Sequence, residues 1–111
     1  MKPIILPAAR DDIVRQFRYH LVEQDAPKVA ERFLSAVRRT IERIIRTPQG
    51  GAPKRLSREA LQDLRSWPVK GFEDVRVYYL FYEASVRVVR VLHGKRAINN
   101  ILEKESDDAP Q

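Results

Sequence analysis

The chain contains no cysteine among its 111 residues. That excludes a disulfide framework, a thiolate zinc site and a cysteine nucleophile, and it suits a reducing cytoplasm. Histidine occurs twice, as His20 and His93. No carboxylate cluster accompanies either at ligand spacing, so no metal is expected. Gly50-Gly51 and Gly94-Lys95-Arg96 lack the strand-to-helix setting of a phosphate-binding loop, and no serine stands in a recognisable nucleophile motif. No cofactor is implied. No apolar run reaches the roughly 18 residues of a membrane span. The stretch Met1-Lys2-Pro3-Ile4-Ile5-Leu6-Pro7 is too short for a signal peptide. These absences describe a soluble cytoplasmic protein with no membrane contact.

What remains is one domain's worth of chain, long enough to bury about two-thirds of its unfolded surface. Lys and Arg number 21 against 15 Asp and Glu, a formal charge of +6. The acidic residues crowd one end: Glu103, Glu105, Asp107 and Asp108 against Lys104 make residues 103–111 net −3, which leaves residues 1–102 at +9. A body this basic favours an anionic partner, either nucleic acid or an acidic protein segment, although a solvated charged surface has the same composition. Arginine outnumbers lysine fifteen to six, which suits planar contacts to carboxylate or phosphate.

Residues 3–6 are apolar and bounded by Pro3 and Pro7, the pattern of a short strand at a sheet edge. Ala9, Ile13, Phe17 and Leu21 then recur every four residues, which predicts an amphipathic helix over 8–23 with Asp11 and Asp12 at its positive end. Asp25 reads as an N-cap and Pro27 as a first-turn residue of a second helix. That helix carries the stripe Val29, Phe33, Val37, Ile41 and Ile44/Ile45, and Thr47-Pro48-Gln49-Gly50-Gly51-Ala52-Pro53 stops it. The two helices form an antiparallel hairpin whose apolar stripes need a cover.

The cover is read from three strand-like runs, 63–69, 75–83 and 86–93, spaced as an antiparallel meander. In the middle run Val75, Val77, Tyr79 and Phe81 share the face expected on the helices, while Arg76, Tyr78, Leu80 and Tyr82 share the other. The last run, Val86 to His93, has two equally apolar faces, as a strand covered on both sides would. Residues 96–105 read as a short helix turning Ile98, Ile101 and Leu102 inward. The fold class is therefore α+β: an N-terminal strand, a helical hairpin on a mainly antiparallel sheet of three to four strands, and a C-terminal helix. Residues 1–104 form the single domain, and 105–111 a disordered acidic tail.

The chemistry-bearing set is basic and aromatic: Arg65, Trp67, Arg76, Tyr78, Tyr82, Arg87, Arg90, His93, Lys95 and Arg96. Arginines with interleaved aromatics hold phosphates and stacked bases. They serve equally to receive an acidic amphipathic protein segment, or simply as a surface of snorkelling arginines.

Four blocks, in order and spacing, resemble a known family: Ala9, Asp12, Ile13 and Phe17; Ala30, Phe33, Ile44, Pro48 and Gly50; Leu64-Arg65-Ser66-Trp67-Pro68-Val69-Lys70-Gly71-Phe72; and Val89-Arg90-Val91-Leu92-His93-Gly94-Lys95-Arg96. They look like the ParE/RelE superfamily of bacterial type II toxins, over about residues 3–103. The resemblance implies a helical hairpin packed on a mainly antiparallel sheet, a cognate antitoxin from the same operon, and a hetero-oligomeric toxin–antitoxin complex of the kind used in plasmid stabilisation. It also implies one of two targets, DNA gyrase for ParE-like members or ribosome-bound mRNA for RelE-like endoribonucleases.

By resemblance Arg65, Arg76 and Arg96 fall on basic positions of the RNA-cutting branch. That branch usually has a further basic residue where this chain has Trp67, and an aromatic proton-transfer group in the last helix where it has Asn99, Asn100, Ile101 and Leu102. In-line cleavage needs groups that exchange protons, and arginine does not. The resemblance therefore points to a gyrase inhibitor that is not an enzyme, with Arg65, Trp67, Arg76, His93 and Arg96 toward the target and Tyr78, Leu80, Tyr82 and Arg87 toward the antitoxin. The alternatives are a RelE-type endoribonuclease using Arg76, His93 and Arg96, and a degenerate, non-toxic antitoxin binder. Because the tail after Glu105 offers only Ala109 for burial, deleting residues 106–111 is expected to leave the thermal midpoint unchanged in a melting curve.

Overall fold

Prolines set the start of the fold. Pro3 and Pro7 lack the amide N–H that a ladder requires, and between them only Ile4–Ile5 pairs, as β1. It lies parallel to β5 (Ser85–His93), with Ile4 beside Arg87 and Ile5 beside Val88. Pro7 then opens α1 (Pro7–Arg18) in its first turn. The computed structural model describes residues 2–94 and 98–108, and no helix among them is long and apolar enough to cross a membrane.

The helix expected over 8–23 is present, but its last turn, Tyr19–Glu23, is π-helical, with the Gln24 N–H donating to the Tyr19 carbonyl at 3.0 Å. A turn that closes over five residues loses the phase of the apolar stripe. Leu21, expected to be buried, is 37% exposed. His20 instead packs between the rings of Phe33 and Phe72, at centroid distances of 5.5 and 5.7 Å. Asp25 does not cap the next helix either. It takes a left-handed φ of 48° in the reversal, and the N-cap of α2 (Pro27–Arg46) is Ala26, with no side-chain cap. The α2 stripe is as expected, burying Phe33, Val37, Ile41 and Ile44, and its small residues Ala30 and Ala36 are buried with them.

Three further strands follow: β2 (Ala52–Pro53), β3 (Arg65–Val69) and β4 (Phe72–Tyr82). The sheet has five strands in the order β1-β5-β4-β3-β2, one more than the upper number expected from sequence. The extra strand is β2, hidden in the Gly- and Pro-rich stop of α2, where Ala52 pairs with Ser66 and Pro53 with Arg65. Pro68 sits inside β3 without cost to the ladder because β2 does not extend that far. The β4–β5 turn has two residues, Glu83 and Ala84, with φ of 54° and 58°, the left-handed pair that matches the twist of a hairpin.

Tyr78 faces Arg90 and Tyr79 faces Val88, so Val89 is an extra residue in β5. This bulge is why alternation fails in that strand. Val86, Val88 and Val91 join Phe33, Val77 and Tyr79 under the helices. Val89 and Leu92 join Tyr78, Leu61, Leu64 and Leu102 on the opposite face. The second core is roofed by the segment containing the 3-10 turn Glu59–Leu61 and by α3 (Ile98–Asp108), with Ile98 and Ile101 packed at its margin. The backbone of α3 takes in residues 105–108, and residues 109–111 of the expected tail lie outside the described residues.

Because β1 stops at Ile5, α1 itself lines β5 beyond Val88. The Asp12 carboxylate is fully buried and accepts from Val91 N–H at 2.9 Å, Arg90 Nε at 2.7 Å and Arg90 Nη2 at 2.8 Å. Its fourth donor is Arg15 Nη2 at 2.8 Å. Gln16 Nε2 donates to the Val91 carbonyl at 2.9 Å. Asp12 is therefore not the dipole-facing surface residue that its place near the helix start suggested. Removing one partner of a buried pair leaves the other charge uncompensated, a loss of about 3–5 kcal/mol. Asp12→Ala is expected to destabilise by that amount in urea unfolding, whereas Arg15→Ala, which removes a half-exposed partner, is expected to cost about 1 kcal/mol or less.

Candidate functional site

Strict alternation along β4 sorts the expected site residues onto two sides of the sheet. Val75, Val77 and Tyr79 lie in the helix-side core and Tyr78 in the other. Arg65 and Trp67 pair with Tyr79 and Val77, and His93 pairs with Val75, so all three belong to the helix side. Arg76 belongs to the opposite side, opposite Leu92. The basic set is thus not one surface. Arg96 lies outside the described residues.

On the helix side Arg65 and Trp67 hold the loop after α2. The Tyr79 hydroxyl donates to the Pro48 carbonyl at 2.8 Å and accepts from Gly51 N–H at 3.0 Å. Arg65 Nη1 donates to the Gly51 carbonyl at 2.8 Å. A Cβ at Gly51 would lie 2.4 Å from the Tyr79 hydroxyl, and one at Gly50 would lie 2.8 Å from the Trp67 ring. Glycine is required there for close approach. Burial pushes the Tyr79 phenol above its ordinary 10.0, partly opposed by the Gly51 N–H and by Arg65.

Arg76, on the other side, donates from Nε to Ser66 Oγ at 2.8 Å. The face it shares was expected to be open to a partner, but Tyr78 is only 3% exposed beneath Leu61, Leu64 and Leu102. Burial likewise raises the Tyr78 phenol, with Arg76 opposing. The roof is fastened by Glu103, whose carboxylate accepts from Ser57 Oγ, Ser57 N–H and Arg58 N–H. These bonds, the Ser57 ones foremost, hold the Glu103 carboxyl below its ordinary value. Arg58 Nη1 also donates to the Leu102 carbonyl. Of the four residues expected toward the antitoxin, Leu80 is half-buried, Tyr82 exposed, and Arg87 half-buried over the Tyr82 ring.

His93 lines a groove of about 1350 Å³ between the outer face of α1 and the β3–β4 turn. Arg10, Arg15, Arg18, Asp11, Glu23, Glu73 and Asp74 supply its charges. Val14, Tyr19 and Val22 line it at 49%, 47% and 67% exposure. This groove was missed from sequence. Its signal was there in Val14 and Val22, apolar residues lying off the stripe of the first helix. No group of three or more His, Asp or Glu residues able to hold a metal exists among the described residues.

A helical hairpin on one face of a mixed five-stranded sheet defines a small α+β protein. The chain matches the family model of the ParE toxin of type II toxin-antitoxin systems, parDE, over residues 4–98, and it belongs to that family. No curated relative matches it.

Tyr79→Phe removes both loop bonds and leaves Gly51 N–H without its acceptor, at about 1–3 kcal/mol, read as a lower urea midpoint with unchanged slope. The sign of the pH effect follows from the raised phenol. The unfolded chain ionises first, so stability present below pH 10 falls as pH rises beyond it. Tyr79→Phe is expected to lessen that alkaline loss.

Proposed function

We propose that this ParE-family toxin inhibits DNA gyrase by binding rather than by catalysis, and that a cognate antitoxin neutralises it in a hetero-oligomeric complex in the cytoplasm. The observation that carries this reading is the separation of Arg76 from His93. His93 is the one residue of the expected target set whose side chain can act as a general acid or base. It sits on the helix side, and Arg76 lies through the sheet from it. A ribonuclease site needs phosphate-binding and proton-transfer groups around a single scissile phosphate. An inhibitor needs only a complementary surface, and the groove beside His93 combines exposed apolar side chains with three arginines and four carboxylates.

Arg65 and Trp67, expected among the target contacts, act in this reading by shaping the loop at Gly50 and Gly51. The target side is then the groove that His93 lines, joined by Arg76 where the target extends around the sheet. Removing an aromatic anchor from a binding surface weakens it about tenfold, the equivalent of about 1.4 kcal/mol.

In a supercoiling assay the wild-type protein is expected to inhibit gyrase and trap cleaved DNA. Tyr19→Ala is expected to weaken inhibition by about tenfold, while His93→Ala changes it by less than about twofold, since no proton moves. Ribosome-dependent mRNA cleavage, lowered about 100-fold by His93→Ala as loss of a general acid or base would do, overturns the proposal in favour of the endoribonuclease. Antitoxin binding with silence in both assays overturns it in favour of a non-toxic relative.

A further inference from the structure

One corner of the sheet lies at the margin of the second core, where Leu80 packs, and is left partly open. Ile4 on β1, Arg87 on β5 and Leu80 on β4 are side-by-side partners. Tyr82 lies two residues beyond Leu80 on the same face. Ile4 and Tyr82 are each 43% exposed. The Arg87 guanidinium carbon stands 4.8 Å from the centre of the Tyr82 ring, a cation–π stack.

The Arg87 Nε is buried and has no hydrogen-bond partner among the described residues. Buried donors are almost always paired, and a guanidinium cannot shed its charge to escape the cost. Arg90 on the same strand shows the contrast, with Nε and Nη2 both on a carboxylate. The stack on Tyr82 holds the guanidinium but leaves this Nε donor unmet, which suits the position to an acceptor brought by a binding partner.

We propose that Arg87, steadied by Tyr82, anchors a carboxylate of an acidic protein segment docked on this corner, with an apolar side chain of that segment covering Ile4 and Tyr82. The proposal rests on the toxin–antitoxin reading and specifies the chemistry of the antitoxin contact. Charge complementarity supports an acidic occupant, because residues 1–102 carry +9. A protein fits better than a nucleic acid: one face of the Tyr82 ring is already occupied by Arg87, which leaves little for a base to stack on, and Ile4 and Leu80 are apolar neighbours. The stack holds the guanidinium in place before binding, so less rotamer freedom is lost when the carboxylate arrives. The neighbouring acidic residue of a second copy is a weaker occupant, since it brings an equally basic body with it.

The test uses the full chain and the antitoxin encoded beside its gene, with affinity by calorimetry and stability by thermal melting. Arg87→Met is expected to keep or raise the thermal midpoint of the free chain, because an unpaired buried donor is removed. It is expected to weaken antitoxin binding about 10- to 100-fold, the effect of losing a charge-assisted contact. Tyr82→Ala, at an exposed position that the fold does not need, weakens binding about tenfold. Arg87→Glu abolishes binding, and replacing one acidic residue of the antitoxin by arginine restores it.

Wild-type affinity in both Arg87→Met and Tyr82→Ala would overturn the anchor while leaving the toxin–antitoxin reading intact. So would a failure of every charge exchange to restore Arg87→Glu. Dimerisation of the free chain that Arg87→Met abolishes would assign the corner to a second copy instead, and competition by a DNA or RNA duplex would assign it to nucleic acid. A wild-type chain that binds no antitoxin would overturn the toxin–antitoxin reading itself, and the anchor with it.

Discussion

A single carboxylate joins the helical layer of this toxin to its sheet. Asp12 receives four donors, two from Arg90, one from Arg15 and one from the Val91 backbone, and is fully buried. Two oxygens have room for about four donors, so the charge is satisfied without water. The need for it begins with Pro3 and Pro7, which confine β1 to two residues and leave the edge of β5 without a strand beyond Val88. Asp12 and Gln16 supply the missing acceptor and donor at Val91. An α-helix thereby does the ladder work of a strand, and its position over the sheet follows from that bonding.

With α1 held there, the sheet acquires two unequal faces. One carries the larger core under the helices, and the other a smaller core under the 3-10 turn and α3. The Val89 bulge lets β5 feed both, at the cost of one unpaired ladder position. Residues adjacent in sequence or in register then serve different ends. Arg65 and Trp67 shape the loop after α2, Arg76 bonds Ser66 across the sheet, and His93 opens onto the groove beside α1. The groove and the Arg87 corner lie on opposite faces of the sheet.

Most of the architecture was legible in the residues. The four-residue spacing of Ala9, Ile13 and Phe17, the α2 stripe from Phe33 to Ile44 and the alternation of β4 each report which side chains face a core, because burial favours apolar residues at the period of the element. Leu21 and Asp25 misled, since a π-helical turn has no distinctive composition and propensity carries little weight against a reversal whose backbone bonds are made elsewhere. The strand β2 was invisible because its two residues are those of a loop. Tyr78 was assigned to an open face because the segment that roofs it lies 14 or more residues away in sequence, and periodicity speaks only of neighbours.

Family membership and the helix-and-sheet class followed from the order of the residues alone, because apolar spacing and the blocks around Trp67 and His93 are local patterns that need no coordinates to read. Which arginines are partnered did not. Arg65, Arg76, Arg87 and Arg90 are alike as letters on alternating strands, yet one holds a loop carbonyl, one a serine, one a buried carboxylate, and Arg87 a tyrosine ring with its Nε left unpaired. That difference was decided by tertiary structure, because the partner of a charged group is whatever distant segment the packing brings within hydrogen-bond reach.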